Sequence, residues 1–441
     1  MMPTAGLEEA RGATGRTGMF VERSAARIQL VRTIFVCACL LPTLGLIGWA
    51  AYRRTSLYAD PLLGAWSRSL GLAVAAGSVE HVRPSVVRLR GISLTDGRQH
   101  PLAAVLEAEL EERSQGTLVR LPALTLDAAG VRAVAALSLA WLTEPVRFPR
   151  GGVIRIDAFS WNADTRAQPQ GGFHVEYVVA DGGRAIRIRR EPADRDELRL
   201  RAVAAPDGLR LEAELICERG LPADLVSAAT GWMPTFGPSA TIRGHLSASA
   251  AGAGGGTPMR WNGAGDGVVS GVDLAGMAAV AGQMARGEAV LRIESLALQE
   301  GRITAARFLL SAEEGEVSRT LLERMVTVFG CRLGAAAGPV TAWEEWLAGP
   351  PLAFDDTALA VELDRDGVTL QAVGMSATTL AAWGGRSLLE AGGARVSYDR
   401  FAWLFAPTAI GTIPATIPAS PRAIEVLSRL PVAAEDPRGR F

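Results

Sequence analysis

Residues 198–215 read LRLRAVAAPDGLRLEAEL, and this stretch decides the fold class. Apolar and charged residues alternate on both sides of Pro206-Asp207-Gly208, whose residue types favour a reversing turn. The apolar positions are Leu198, Leu200, Leu209, Leu211, Ala213 and Leu215. Successive side chains of a strand point to opposite faces, so this alternation predicts a hairpin with one apolar and one charged face.

The same pattern recurs along the chain. Residues 358–373 alternate around Asp366-Gly367, and residues 290–311 alternate around Glu300-Gly301. Leu106, Ala108 and Leu110 alternate with three glutamates, which predicts a strand despite the helix-forming residue types. Further strands are predicted at 153–159 and 185–190. The repeated unit is therefore predicted to be a hairpin rather than a strand–helix–strand crossover, and the fold class is mainly β with a few short helices.

Few segments have helical spacing. Residues 316–329 carry apolar side chains at helical intervals, with Ser318 as a predicted cap and Gly330 as the residue that ends the helix. Shorter helices are predicted at 222–231, 272–284, 342–347 and 421–430. The predicted segments are an Arg-rich cytoplasmic amino terminus (1–32), a transmembrane helix (33–52), a first β-rich part (53–245), a glycine-rich loop (246–266), a second β-rich part (267–405) and a proline-rich tail (406–441).

Residues 33–52, TIFVCACLLPTLGLIGWAAY, contain no charge over twenty positions. A helix of this length reaches about 30 Å, the thickness of the bilayer hydrocarbon. Arginines are more frequent before the segment than after it, which favours a cytoplasmic amino terminus and a translocated body. We therefore predict a single-pass membrane anchor with a translocated body. A cleaved signal peptide and a buried core helix are the alternatives.

Composition limits the partners. The net charge of −1 provides no field for gathering nucleic acid, and no basic patch is interleaved with aromatic residues. Cys37 and Cys39 lie in the predicted span, which leaves Cys217 and Cys331 in the body. These two could pair in an oxidising compartment, but two isolated buried thiols are the favoured reading.

No motif predicts catalysis, a metal or a cofactor. The glycines of residues 263–267, GAGDG, lack the spacing of a dinucleotide fingerprint and are interpreted as a turn between strands. The four histidines are scattered, and no nucleophile elbow is present. The acidic pairs Asp194/Asp196, Asp355/Asp356 and Asp364/Asp366 are interpreted as solvated turn residues, with a loose calcium site as the alternative. A glycosidase carboxylate pair stays open, because folding can assemble one without any local spacing.

Three stretches resemble the AsmA-like envelope proteins of Gram-negative bacteria. After the apolar segment, residues 72–96 (LAVAAGSVEHVRPSVVRLRGISLTD) are similar to the opening strand pair of that family, with a glycine step and a proline. Residues 118–127 (LVRLPALTLD) resemble its following edge strands. Residues 298–331 resemble its carboxy-terminal repeat, where GRI and GEVS steps lead into a helix, and 366–389 resemble its closing strands.

The resemblance implies an elongated, twisted antiparallel sheet curled into an open groove with an apolar floor. It also implies a role in binding or moving phospholipid between membranes, or in maintaining the outer membrane. The expected partners are the inner membrane, phospholipid acyl chains and other envelope proteins. The groove-lining residues predicted on this basis are Leu200, Leu211, Phe308, Val361, Leu363 and Leu370.

Three alternatives remain open at this point. The apolar face could instead be the dry core of a sandwich or barrel. The chain could be a structural or interaction protein of the envelope that recruits others by strand addition. It could also be a tethered hydrolase of envelope polymers, which would need carboxylates assembled in one cleft.

Overall fold

A computed structural model of the chain describes residues 25–53, 55–70, 72–83, 85–96, 100–114, 116–146, 150–163, 166–180, 183–191, 195–205, 208–230, 236–251, 260–374, 376–405 and 421–430. The chain divides into two compact units, Met1–Asp60 and Pro61–Phe441. Most of the predicted 1–32 segment and of the 406–441 tail lies outside the described residues, as do Pro206 and Asp207 of the predicted turn.

The amino-terminal unit contains one long helix, α1 (Ala25–Tyr52). It has 28 residues, none of them buried, and a mean hydropathy of 2.1 over its most apolar window. The helix begins at Ala25 rather than at Thr33, so the predicted segment is its carboxy-terminal part. Its length and composition are sufficient to cross a membrane.

A π-helical turn interrupts α1 at Val36–Leu40, just before Pro42. A proline has no N–H, and its ring would clash with the carbonyl four residues earlier in a regular helix. The turn is widened because the Leu41 N–H bonds to the Val36 carbonyl, five residues back. The Thr43 hydroxyl donates to the Cys39 carbonyl at 2.6 Å, so this carbonyl also has a partner.

The body is mainly β, as predicted: a long, open, twisted sheet of up to twenty strands. The strands are β1 (Ala73–Arg83), β2 (Val86–Thr95), β3 (Pro101–Arg113), β4 (Gly116–Leu126), β5 (Gly152–Ala163), β6 (Arg166–Ala180), β7 (Gly183–Glu191), β8 (Glu197–Ala205), β9 (Gly208–Pro222), β10 (Thr241–Ala251), β11 (Arg260–Asp273), β12 (Ala285–Gln299), β13 (Arg302–Ala312), β14 (Gly315–Val317), β15 (Arg332–Leu333), β16 (Leu352–Phe354), β17 (Asp356–Asp364), β18 (Gly367–Ala372), β19 (Thr379–Trp383) and β20 (Arg386–Glu390).

The remaining helices are short. They are α2 (Ser56–Leu70), α3 (Ala128–Thr143), α4 (Ala223–Thr230), α5 (Leu274–Val280), α6 (Arg319–Phe329), α7 (Trp343–Leu347), α8 (Tyr398–Phe401) and α9 (Pro421–Arg429). Single 3₁₀ turns occupy Ala335–Ala337 and Ala402–Phe405.

The hairpin predictions are confirmed where the alternation is clearest. Strand β8 pairs antiparallel with β9, and β17 pairs with β18 through a turn in which Asp364 faces Gly367. Strands β12 and β13 are joined at Glu300 and Gly301, which have φ values of 53° and 78°. Positive φ at both central residues matches the twist of the flanking strands.

One strand pair departs from the predicted hairpins. Strands β4 and β5 run parallel, and a parallel pair needs a crossover. The crossover is α3, which the sequence analysis did not predict. The Asp127 carboxylate caps its first turn by accepting a hydrogen bond from the Gly130 N–H at 2.8 Å.

The strand predicted around Leu106 exists, but its alternation reverses there. Val105 and Ala108 are both buried, whereas Leu106 is 83% exposed. The two buried residues are three positions apart, so the strand turns over by one residue between them. Leu89 and Ile92 in β2 have the same spacing, as do Ile156 and Phe159 in β5. Neighbouring strands therefore reverse together, and the apolar surface stays on one side of the bend.

The predicted helix at 316–329 is α6, and it begins three residues later than expected. Glu316 belongs to β14. The Ser318 hydroxyl accepts from the Leu321 N–H at 3.2 Å, and Gly330 ends the helix with a φ of 66°. Both capping predictions are confirmed.

The predicted glycine-rich loop 246–266 is mostly a hairpin. Strand β10 continues to Ala251 and β11 starts at Arg260. The intervening residues 252–259 lie outside the described part of the chain. The GAGDG residues, interpreted from sequence as a turn, belong to β11 instead. Glycine at every second position left this stretch without the apolar alternation that marks a strand.

Helices cover two parts of the apolar face. Helix α3 places Trp141 and Leu142 in a buried cluster with Ile186, Ala202 and Leu211 of the central strands. A larger cluster around β12–β20 contains residues of α5, α6 and α7.

Candidate functional site

The predicted groove-lining residues fall into two separate places. Leu211 is 2% exposed and pairs in register with Ala202 and Ala250, which are equally buried. It belongs to the cluster that Trp141 of α3 completes, and Leu200 packs against that cluster. Both leucines therefore contact the protein's own residues.

The other four predicted lining residues lie in the carboxy-terminal cluster. Phe308 pairs with Val361, which pairs with Leu370, so these side chains share one face. Leu363 and Leu370 are 6% and 5% exposed, and Phe308 and Val361 pack against the same buried residues. Helix α6 supplies Leu322, Val328 and Phe329 to this cluster. The structure thus assigns these positions to core packing.

A row of leucines crosses the sheet between the two clusters. Leu198 pairs in register with Leu215, Leu215 with Leu246, Leu246 with Gly265, and Gly265 with Leu296. Directly paired residues point to the same face. We call Leu198, Leu215, Leu246 and Leu296 the leucine row. Its first three members are only partly buried, and they belong to none of the five buried clusters found among the described residues.

Small residues lie beside the leucine row. A Cβ atom at Gly265 would lie 3.0 Å from the Leu246 side chain, and one at Gly263 would lie 3.1 Å from the Ala248 side chain. Both distances are tighter than ordinary van der Waals contacts. The glycines of β11 therefore leave a shallow floor, which explains why this strand carries so many of them.

The opposite face of the same strands is charged. The Glu197 carboxylate accepts hydrogen bonds from Arg199 at 2.6 Å and from Arg189 at 3.2 Å. These bonds hold the pKa of the Glu197 carboxyl below its usual value. Arg199 also reaches Glu214 at 3.3 Å. The ion pairs on this face form a network whose side chains are partly exposed to solvent.

A shallow hollow of about 520 Å³ lies on the charged face, where long side chains give way to short ones. Its lining includes Arg199, Arg201, Glu212, Glu214, Ser247 and Asn262. The hollow follows from the change in side-chain length between β9 and β10. Its acidic and basic groups balance, so it has no preference for a ligand of one charge.

The acidic pairs do not assemble into one cleft among the described residues. Asp364 and Asp366 both pair with Arg395, at 2.7 and 3.2 Å. The Asp355 carboxylate accepts from the Gly384 N–H at 2.6 Å. No group of three His, Cys, Asp or Glu side chains suited to a metal ion is found in the described ranges.

Asp196 differs from the solvated turn residue that the sequence suggested; its predicted partner Asp194 lies outside the described residues. Its side chain is 7% exposed, and Oδ2 lies 3.1 Å from Nη1 of Arg190, which is equally buried. Oδ1 accepts from the N–H groups of Glu218 and Arg219 at 2.6 and 3.1 Å. These bonds fasten the segment before β8 to β9, and because their partners lie more than twenty residues away in the chain, no local sequence pattern reveals them.

Cys217 and Cys331 are free and buried, which agrees with the reading of two isolated thiols. Burial raises the pKa of both thiols, and the nearby Asp196 carboxylate adds to the effect at Cys217. A raised pKa keeps the reactive thiolate form scarce.

No family model, curated protein or solved structure matches this chain. The resemblance to AsmA-like proteins therefore remains a prediction from sequence. The features of the chain that bear on its function are the apolar helix α1, the two covered parts of the apolar face and the leucine row between them.

Proposed function

We propose that this chain is a membrane-anchored, non-catalytic envelope protein of the AsmA-like type, which binds phospholipid acyl chains along its leucine row. The observation that carries the proposal is the position of Leu198, Leu215 and Leu246. They lie side by side on the apolar face but outside every buried cluster of the described residues. These three leucines differ from the six groove-lining residues predicted from sequence, but they lie on the same face of the sheet.

The membrane part of the proposal rests on α1. This apolar helix has 28 residues, and none of its side chains is buried against the described part of the chain. Hydrocarbon is the environment in which such a surface is stable. The arginine bias before the helix favours an inner-membrane anchor with a periplasmic body.

The free part of the leucine row suits a segment of an acyl chain. Leu198, Leu215 and Leu246 lie on the three strands β8 to β10, which are about 4.8 Å apart, so they extend for about 10 Å. Covering about eight methylenes contributes about 6 kcal/mol, at about 0.8 kcal/mol each, before the entropy cost of ordering the chain. Binding to the membrane-anchored chain would therefore be favourable but reversible.

The test compares two aspartate substitutions on opposite faces of one hairpin. Leu246→Asp places a charge in the leucine row, and Ala264→Asp places the same charge at an exposed position on the charged face of β11. We expect lipid co-purifying with the full chain, measured by mass spectrometry, to fall in Leu246→Asp and to stay at the wild-type level in Ala264→Asp. The melting temperature of Ala264→Asp should stay near that of the wild type, because an exposed change costs within about 0.5 kcal/mol, whereas Leu246→Asp, at a partly buried position, should melt between Ala264→Asp and Leu211→Asp.

Leu211→Asp is the third variant of this experiment. It introduces a charge at a position that is 2% exposed, so we expect a loss of more than about 4 kcal/mol of stability. If wild-type protein carries no lipid, or if Leu246→Asp carries as much as Ala264→Asp, lipid binding at the leucine row is refuted.

A second candidate is the interaction protein that the sequence left open. Among the strands that the structure describes, β1 pairs only with β2, so its outer edge offers backbone groups that another strand could bind. One of these groups is already used, since the Val74 N–H donates to the Ser67 hydroxyl at 3.0 Å. Replacing Ala76 by proline would remove one N–H from this edge. If the variant no longer bound a partner protein but still carried lipid, the result would favour this function.

A further inference from the structure

The end of α1 carries an aromatic cluster built around one arginine. The Trp49 and Tyr52 rings lie 5.9 Å apart, and the Tyr52 and Tyr58 rings lie 5.8 Å apart in an edge-on arrangement. The guanidinium carbon of Arg53 lies 4.8 Å from the Trp49 ring centre and 5.9 Å from that of Tyr58. All four residues belong to the amino-terminal unit.

Arg53 contacts these rings instead of a carboxylate. Among the residues that the structure describes, no acidic side chain forms an ion pair with it, and its Nε is shielded without a hydrogen-bond acceptor. A guanidinium has five N–H donors and no acceptor. Stacking on aromatic faces orients the group but satisfies none of these donors. The cluster therefore presents an oriented cation whose two terminal NH₂ groups bond to none of the described residues, while its shielded Nε is out of reach of a ligand.

The composition of the cluster, and its place after an apolar helix, are typical of the boundary between hydrocarbon and lipid headgroups. It follows the most apolar part of α1, whose side chains are fully outside the buried core. Tryptophan and tyrosine prefer this boundary because one end of each ring system is apolar and the other is polar. The anions found there in quantity are lipid phosphates, and arginine binds phosphate through two parallel hydrogen bonds.

We propose that Arg53 binds the phosphate of a phospholipid headgroup, with the Trp49 and Tyr58 rings holding its guanidinium toward that phosphate. The inference rests on the membrane anchoring proposed above. It adds a specific lipid contact at the boundary, separate from the acyl-chain contact at the leucine row. It also fixes the depth of α1, since the phosphate plane then lies one residue beyond Tyr52.

The experiment uses the full chain reconstituted in phosphatidylglycerol vesicles and extracted for native mass spectrometry. Arg53→Gln is compared with wild type, with Arg53→Lys, and with Arg68→Gln, which removes the same charge from an exposed position near the end of α2. All are made in the Leu246→Asp background, so lipid at the leucine row does not contribute. We expect Arg53→Gln to retain about fivefold less phosphatidylglycerol, the factor that corresponds to about 1 kcal/mol.

We expect Arg53→Lys to retain an amount of phosphatidylglycerol between those of Arg53→Gln and the parent, and Arg68→Gln to retain as much as the parent. A glycosyl diacylglycerol, which has no phosphate, should be retained equally poorly by every variant. Equal phosphatidylglycerol retention in Arg53→Gln and the parent would overturn the inference, as would retention of the phosphate-free lipid by the parent at the level of phosphatidylglycerol. Flotation of the parent with the vesicles is scored separately: failure to float contradicts the anchoring itself, whereas flotation with no effect at Arg53 contradicts only the phosphate site.

Discussion

Asp196 and Arg190 give the sharpest test of how the body is held together. Their side chains are each 7% exposed and lie 3.1 Å apart. Asp196→Ala would leave the Arg190 guanidinium buried without its carboxylate and would also remove the acceptor of the Glu218 and Arg219 N–H groups. Removing one partner of a buried pair costs about 3–5 kcal/mol. We therefore expect the melting temperature of the body to fall by roughly 5 °C, given the unfolding entropy of a unit of this size.

Two further variants separate the buried charge from the lost backbone contacts. Asp196→Asn keeps an oxygen that can accept from Glu218 but removes the charge that balances Arg190. Arg190→Met in the same chain then removes the stranded cation, so the double variant should be more stable than Asp196→Asn alone. The matched surface control is Asp366→Ala, whose side chain is 78% exposed and pairs with Arg395. An exposed pair contributes at most about 1 kcal/mol.

Thermal unfolding followed by circular dichroism measures all four variants in the same detergent. If Asp196→Ala melts no lower than Asp366→Ala, the buried pair is not what fastens this segment to β9. If the double variant melts below Asp196→Asn, the stranded charge is not the cause of the loss.

Two further predictions address capping and pH. Ser318→Ala removes the acceptor for the Leu321 N–H at the start of α6, and should cost about 1 kcal/mol in thermal unfolding, whereas Ser318→Asp should retain most of the stability; equal losses would contradict a capping role. The Tyr398 hydroxyl donates to the carbonyls of Asp364 and Gly367, and burial, followed by the Asp364 charge, raises its pKa to about 12. Because the folded protein then keeps the proton that the unfolded chain loses near pH 10, the stability that this group contributes is present below pH 10 and is lost as the pH rises to about 12. Tyr398→Phe should flatten the melting temperature over that interval, and an unchanged slope would contradict the assignment.

The hairpins could be predicted because their pattern is local. Apolar and charged residues alternate from Glu197 to Arg201 in β8 and from Leu209 to Leu215 in β9, and this alternation within each strand is enough to predict which side chains share a face. The capping residues of α6 were visible for the same reason, since Ser318 and Gly330 act within one turn. Strand β11 was missed because its glycines carry no apolar signal, although they keep the floor beside Leu246 open.

The reversal at Leu106 could not be predicted from alternation alone. A pattern of period two gives the same parity along the whole strand, whereas an inserted residue changes the parity at one point. That point coincides in the neighbouring strand β2, since Leu89 pairs with Ala108 and Ile92 with Val105 on either side of it. The register between strands, rather than the sequence of β3 alone, determines that the Leu106 side chain faces solvent.

Helix α3 determines which apolar positions of the central strands belong to a buried cluster. Leu211 and Leu215 occupy the same face of the same strand and are both leucines, so no sequence pattern distinguishes them. Trp141 reaches the cluster that contains Leu211, whereas Leu215 lies outside it. The difference arises from a crossover between β4 and β5, far from either residue in the chain. An apolar stripe in an antiparallel sheet therefore predicts burial in general, and only the placement of the covering helix separates a protein core from a surface that an acyl chain could cover.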